Sequence, residues 1–248
     1  MGLLNRFFSR SKALSPLDLS VVGIDMHSHL IPGVDDGSPD MEATLHLLRG
    51  FIDLGYRKVI TTPHIMSDYY RNTSAGLLAG RDAVISACRQ DGLDIAFDVA
   101  AEYYLDEHFV KLIEDGDILT MGNRAVLFEL PFMGEPDMLK SVLFQLQMAG
   151  YKPILAHPER YAYWHREPQK FKDLVDRDVT LQLNTGSLSG FYGPGVQKCG
   201  EWLIEQGLIS YVASDCHHPG HLNLLHEVRT SPHLHRLVDS GKLLNSTL

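Results

Sequence analysis

The sequence predicts an α/β fold in which seven parallel strands alternate with helices around one core, a closed or nearly closed (β/α)₇ barrel. Seven short apolar runs alternate with helix-like stretches, the order that makes strands parallel and their crossovers right-handed. A unit of helix, glycine, strand and polar residue recurs at Gly55, Gly150 and Gly207, and the strands that follow end in His64, His157 and Asp215. The other runs also end in residues able to bind metal. A doubly wound open sheet would not bring all seven strand ends to one point, whereas a barrel does.

The first strand is expected from Val21 to His29 and closes with His27-Ser28-His29. Side chains at i and i+2 of a strand share a face, so one strand end offers two imidazoles to a single ion. Asp25, two residues earlier, faces the same way and suits either an acceptor that fixes an imidazole tautomer or a plain strand-interior hydrogen bond. Next, Ser38 and Pro39 supply an N-cap and a first-turn proline, Leu45, Leu48 and Ile52 recur at helical spacing, and Gly55 takes the C′ position. The remaining strands are expected at Lys58 to His64, Ile95 to Glu102, Ala125 to Leu130, Lys152 to His157, Val179 to Asn184 and Ile209 to Asp215.

At 248 residues the chain has the length at which such a barrel closes as one unit, about 250 residues. No linker rich in Pro, Gly or Ser divides it. The expected organisation is an N-terminal arm, residues 1–19, and a single barrel domain, residues 20–248. The arm carries Leu3, Leu4, Phe7 and Phe8 between Arg6, Arg10 and Lys12, a pattern suited to peripheral contact with an anionic membrane, to a partner surface, or to a plug on the barrel bottom. Lys plus Arg total 22 against 31 for Asp plus Glu, and the resulting −9 argues against a broad nucleic-acid surface. Cys88, Cys199 and Cys216 match neither a disulfide framework nor a zinc knuckle, and no run approaches the roughly 20 apolar residues of a membrane span. The expected location is the cytoplasm, with the arm as a route to the inner face of the membrane. Oligomeric state is left open.

Barrels of this kind hold their active sites at the C-terminal strand ends. Here those ends carry His27, His29, His64, Glu102, Glu129, His157, Asp215 and His217. Any one alone reads as a hydrogen-bonded core histidine or a solvated carboxylate; together they read as metal ligands. Strand neighbours sort them into His27, His29, Glu102 and Asp215 around one ion, Glu102, Glu129 and His157 around a second, and Asp36, His64 and His217 around a third. Glu102 is then a bridge between two of three divalent cations. Carboxylate oxygens and imidazole nitrogens without thiolate suit Mn²⁺, Fe or Zn²⁺, with Mn²⁺ the first choice.

The run Ile24-Asp25-Met26-His27-Ser28-His29-Leu30-Ile31-Pro32-Gly33-Val34-Asp35-Asp36-Gly37 is followed by Thr61-Thr62-Pro63-His64, Ala156-His157-Pro158-Glu159-Arg160 and Ala213-Ser214-Asp215-Cys216-His217. With these motifs the chain resembles the PHP (polymerase and histidinol phosphatase) superfamily. Within it the chain is most similar to the bacterial metal-dependent protein-tyrosine phosphatases encoded with capsule and exopolysaccharide genes. The resemblance spans roughly residues 20 to 235 and implies a distorted TIM-like (β/α)₇ barrel of PHP type with a trinuclear site. Position by position it assigns metal binding to His27, His29, Asp36, His64, Glu102, Glu129, His157, Asp215 and His217, and phosphate binding to Arg160. Catalysis falls to Arg160, Asp215 and His217. The implied substrate is a phosphotyrosine protein, a membrane-anchored bacterial tyrosine kinase with a tyrosine-rich tail, in exopolysaccharide or capsule synthesis. One departure stands out: such phosphatases carry another Arg shortly after the last motif, where this chain has His218-Pro219-Gly220-His221-Leu222, leaving His218 or His221 as substitutes.

The expected mechanism is direct. Coordination lowers the pKa of water from 15.7 to about 7, so a hydroxide shared between two cations can attack phosphorus in line without a covalent phosphoenzyme. A phenol leaves with a pKa near 10, which relaxes the need for a general acid. Tyr69, Tyr70, Tyr103 and Tyr104 are candidates for pocket walls or for plain packing. Thiol phosphatase chemistry is closed, because the residues six positions after the cysteines are Asp94, Glu205 and Leu222; Cys216 is expected to pack. The alternatives are a small-molecule phosphomonoesterase such as histidinol phosphatase, an exonuclease-like enzyme weakened by the acidic charge, an amidohydrolase weakened by Glu129 where a carboxylated Lys would sit, and a non-catalytic metal-stabilised scaffold. The last is disfavoured because three shared sites with few ligands each leave room for water.

Overall fold

Nine short strands, every pairing parallel, form two sheets in a computed structural model that describes residues 14–248. In chain order they are β1 (Ile24–Asp25), β2 (Lys58–Thr61), β3 (His64–Ile65), β4 (Ala96–Val99), β5 (Glu102–Tyr104), β6 (Ala125–Glu129), β7 (Lys152–Ala156), β8 (Thr180–Asn184) and β9 (Ile209–Ala213). One sheet has the order β1-β2-β4 and the other β3-β5-β6-β7-β8-β9.

Seven expected strands become nine because two of them break. β2 and β3 replace the run expected from Lys58 to His64 and extend it to Ile65, and β4 and β5 replace the run expected from Ile95 to Glu102 and extend it to Tyr104. The first break falls at Thr62-Pro63, where proline has no N–H to give to a ladder. Hydrogen bonds cross the gap instead: Thr62 N donates to Ser28 O at 2.7 Å and Ala100 N to Thr61 O at 2.9 Å. The first expected strand is reduced to two residues, since Leu19–Val21 winds into a 3-10 turn and Gly23 turns the chain with φ +75°.

Beyond β1 and β9 the chain ends of the two sheets meet. Ser28 and Cys216 form a parallel bridge, Asp215 N donates to His27 O and His29 N to Cys216 O, both at 2.9 Å. This contact closes the strands into a distorted barrel with seven positions.

Among the described residues eight helices surround it: α1 (Met41–Asp53), α2 (Ser74–Asp91), α3 (Glu107–Asp115), α4 (Leu139–Met148), α5 (Gln169–Val175), α6 (Pro194–Glu205), α7 (Pro219–Val228) and α8 (Pro232–Asp239). The cap of α1 corrects the sequence expectation. Asp40, not Ser38, is the N-cap and accepts from Ala43 N at 2.9 Å. Ser38 lies buried beside it, accepting from Thr44 Oγ1 at 2.8 Å, because a carboxylate two residues on reaches the first turn with its backbone still extended. Gly55 (φ +97°), Gly150 (φ +78°) and Gly207 (φ +68°) do end their helices in the left-handed region.

The alternation of side chains across β6 shows how the site is built. Val126 and Phe128 point out and join the layer between strands and helices, whereas Ala125 and Leu127 fill the barrel interior. Glu129 continues the inward row at the C-terminal end. Tyr211 and Ala213 of β9 do the same below Asp215. Leu17 and Leu19 already pack on the body of the protein, while the apolar and basic part of the N-terminal arm, Leu3 to Lys12, lies outside the described residues.

Candidate metal centre

All nine residues proposed from sequence as metal ligands converge at the C-terminal strand ends. Glu102, at the start of β5, is central: its carboxylate lies 3.1 Å from His27 Nε2, 3.4 Å from His29 Nε2, 3.3 Å from His64 Nδ1 and 3.0 Å from His157 Nε2. Asp215 Oδ1 lies 3.4 Å from His27 Nε2 and 3.5 Å from His217 Nδ1. Asp36 Oδ1 stands 3.6 Å from His64 Nε2 and 3.5 Å from His217 Nε2, and Glu129 Oε1 is 3.4 Å from His64 Nδ1.

Donor atoms fall within 4.8 Å of one another in four sets: His29, Asp36, His64 and His217; His27, His29 and Glu102; His27, His157 and Asp215; His64, Glu102 and Glu129. The sorting by strand neighbours differs in three respects. His29 joins the set of Asp36, Glu129 stands nearer to His64 (3.4 Å) than to His157 (3.9 Å), and the four-residue first set divides in two. Strand order says which ends are adjacent but not which way an imidazole leans; His64 pairs with Glu102 in register and reaches both Asp36 and Glu129.

Burial would discharge these groups, yet their mutual field prevails. For His27 burial favours the neutral ring, but Glu102 and Asp215 push its pKa up to about 9; Glu102 and Glu129 do the same for His64, to about 10. Burial would raise Glu102 and Asp215, but His27 with His64, and His27 with His217 and Arg160, hold them well below the carboxylate range. His157 is pushed down by burial and by Arg160. The carboxylates of Glu102 and Asp215 therefore favour positive charge in the space between them and the neighbouring imidazoles. Among the described residues His64 Nδ1 and His157 Nδ1 are buried without a hydrogen-bond partner. This oxygen and imidazole donor set fits divalent cations.

Two donors sit on left-handed backbone. His157, one step past the inward Ala156, would point outward by alternation; its φ of +33° turns it in, and Asp215 sits at φ +51°. Such conformations cost of order 1–3 kcal/mol each and persist where surroundings enforce them. Gly37 serves the same rim, since a Cβ there would lie 2.2 Å from His29 O.

Several orienting residues escaped the sequence reading. His27 Nδ1–H donates to Gln182 Oε1 at 2.9 Å, and His29 Nδ1–H to Asp35 Oδ2 at 2.7 Å. Burial works against the Asp35 carboxylate, but His29 holds its pKa down to about 2. Asp25 does not touch an imidazole: it accepts from Ser214 N at 2.7 Å and Ser214 Oγ at 2.9 Å. β1 ends at Asp25, so the alternation expected to align it with His27 stops there. Asp215 Oδ2 accepts from Arg160 Nη1 and Asn184 Nδ2, both at 2.9 Å, which leaves Oδ1 to the cluster. The available signal was Gln182-x-Asn184, two amides on one face of an otherwise apolar strand end. Replacing Gln182 with Leu is expected to lower metal affinity or activity by about 10–100-fold, read by Mn²⁺ titration of turnover.

A cavity of about 620 Å³ opens above the cluster. Arg160 stands in its wall with its guanidinium against two rings, 4.9 Å from the centroid of Phe132 and 4.7 Å from that of Tyr192. His218 and His221 line the same wall. Of the four tyrosines considered as pocket walls, Tyr104 lines the cavity, Tyr70 stacks on His64 at 5.4 Å and Tyr69 is exposed. Tyr103 is instead a core residue whose hydroxyl accepts from Leu119 N. Cys216 is fully buried in the apolar layer, as expected for a packing residue.

Fold and site together define a parallel barrel with a cation-type donor cluster under an open cavity at the C-terminal strand ends, where barrel enzymes carry their chemistry. Residues 23–224 match the family Capsular polysaccharide synthesis, CpsB/CapC, and the chain belongs to that family. It is 28% identical over 195 residues to tyrosine-protein phosphatase YwqE of Bacillus subtilis, covering 78% of this chain and 77% of that protein. Tyrosine-protein phosphatase CpsB of Streptococcus pneumoniae is 26% identical over 200 residues, 78% of this chain and 82% of that protein. A crystal structure from the pair YwqE of B. subtilis and CpsB of S. pneumoniae, described as unique metal-dependent tyrosine phosphatases, aligns with a TM-score of 0.78 at 26% identity, covering 90% of this chain and 94% of the other. No helix among the described residues is long and apolar enough to cross a membrane.

Proposed function

We propose that this protein is a metal-dependent protein-tyrosine phosphatase of capsule or exopolysaccharide synthesis. The observation that carries the reading is the convergence of nine imidazole and carboxylate side chains beneath a cavity whose wall holds Arg160. His27, His29, Asp36, His64, Glu102, Glu129, His157, Asp215 and His217 would hold three divalent cations, Mn²⁺ by preference. Bound there, the cations would supply Lewis acidity that neutralises phosphoryl charge and acidifies water. Arg160 presents a planar fork to phosphoryl oxygens. Asp215 is shared between the cation cluster and Arg160, so the charge that binds phosphate is tied to the metal centre. The substrate would be a phosphorylated tyrosine on a protein, the tail of a bacterial tyrosine kinase, met on the cytoplasmic side with the N-terminal arm as a contact to the membrane.

Phosphotyrosyl peptide, histidinol phosphate and single-stranded oligonucleotide, assayed side by side with Mn²⁺, test this reading. The peptide is expected to be turned over best; preference for either of the others would overturn it. Exhaustive chelation is expected to abolish turnover and re-addition of Mn²⁺ to restore it. Metal-free protein, checked by elemental analysis, that still hydrolyses the peptide would count against the metal centre.

The aromatic faces around Arg160 yield a finer expectation. Each cation–π contact is worth about 0.5–2 kcal/mol, so Phe132→Leu or Tyr192→Leu should reduce kcat/KM by roughly twofold to thirtyfold. If the rings act through the guanidinium, the same replacements add nothing once Arg160 is already Ala. A loss that persists in the Arg160→Ala background would place the rings against the substrate instead.

A further inference from the structure

Resting on the phosphotyrosine reading above, we propose that the rim of the cavity is a binding surface for an extended polypeptide and selects apolar residues on either side of the phosphotyrosine. Four of the nine exposed large hydrophobic side chains among the described residues stand at this one opening: Met133 (97% exposed), Tyr69 (76%), Phe191 (58%) and Phe132 (46%). They come from three separate loops, after β3, β6 and β8.

Phe132, Met133 and Phe191 tie directly to the opening, and Tyr69 through its neighbour Tyr70. Phe132 and Met133 line the cavity. The Phe191 ring lies 5.0 Å from Tyr192 and 6.1 Å from His221, both lining residues. Tyr69 lies 6.5 Å from Tyr70, which stacks on His64. Single exposed hydrophobic residues are ordinary on any surface, but a ring of them around one mouth marks a contact site. The surface is continuous with the catalytic cavity, so its occupant is the substrate chain itself.

Charge narrows that occupant further. Among the described residues Arg160 is the only Lys or Arg lining the cavity, and its Nη1 is committed to Asp215. In the loop of Tyr69, Asp68 and Arg71 offset each other, and the chain carries −9 overall. No second guanidinium or ammonium in that wall can receive acidic residues beside the phosphotyrosine, whereas thioether and aromatic side chains stand ready for apolar ones.

The test uses the full chain loaded with Mn²⁺. Values of kcat/KM are measured for p-nitrophenyl phosphate and for three phosphotyrosyl peptides that differ only in their flanking residues, leucine and phenylalanine, alanine, or glutamate. The apolar peptide is expected to exceed the alanine peptide by on the order of tenfold, with the glutamate peptide poorest. In Met133→Ser and Phe191→Ser, each scaled to its own rate on p-nitrophenyl phosphate, that advantage shrinks toward the alanine level. Both positions are exposed, and a thermal melt checks that the fold is intact. Equal rates on all three peptides, a preference for glutamate, or variants that keep the wild-type preference would overturn the proposal while leaving the phosphatase reading standing. A metal-loaded protein inactive on p-nitrophenyl phosphate and on every peptide would overturn both.

Discussion

Glu102→Gln is expected to disable the protein more severely than any other single change of equal size. The substitution keeps shape and removes charge from the carboxylate that faces four imidazoles within 3.4 Å. Glu102 is 1% exposed, so no solvent can replace the lost charge. Uncoupling one partner of a buried ionic cluster is costly, about 3–5 kcal/mol, because the other charges are left without compensation. Cation binding should therefore fall by more than the roughly 10–100-fold seen when an outer hydrogen-bond partner is lost. Elemental analysis of the purified variant reads the first effect and phosphotyrosyl-peptide turnover the second. A Glu102→Gln variant that retains its full metal content and wild-type turnover would remove Glu102 from the centre.

Arg160→Ala is the second large effect, expected to lower kcat/KM by about 10²–10³, the usual loss when a donor aimed at developing negative charge is removed. Arg160→Lys should recover only part of it. A point charge on a flexible stem cannot match the planar fork that packs against the rings of Phe132 and Tyr192. Inhibition by inorganic phosphate should weaken in parallel. An Arg160→Ala enzyme with unaltered kcat/KM and unaltered phosphate inhibition would assign anion binding elsewhere, with His218 and His221 the first positions to test.

Legibility from sequence followed the range of the forces involved. The barrel was readable because its determinants are local: glycine stops at Gly55, Gly150 and Gly207, and apolar runs of strand length between helical repeats. Most of the donors were readable because they stand at or near the end of such a run, while Asp36 and His217 lie in the segments just beyond. What escaped was set by tertiary contact. Proline at position 63 explains why β2 and β3 separate, but the compensating bonds from Thr62 to Ser28 and from Ala100 to Thr61 belong to the assembled ring. Gln182 reaches His27 across 155 residues of sequence. Asp25 found Ser214, 189 residues away, rather than the imidazole beside it. The inward turn of His157 depends on a left-handed backbone, which histidine adopts more readily than most residues but which the surroundings must still enforce.

The bridge between Ser28 and Cys216 has a kinetic meaning. It joins segments almost a whole chain apart, and both partners are flanked by donors, His27 and His29 on one side, Asp215 and His217 on the other. Contacts of such long separation cost more loop-closure entropy than local ones. A nascent chain can thus carry most of its strands and still lack a working pocket, which is completed when the last strand docks against the first. Turnover of a phosphoester is then a readout of the final step of folding, and any ligand that grips both flanks of the bridge acts as a clasp on the finished ring.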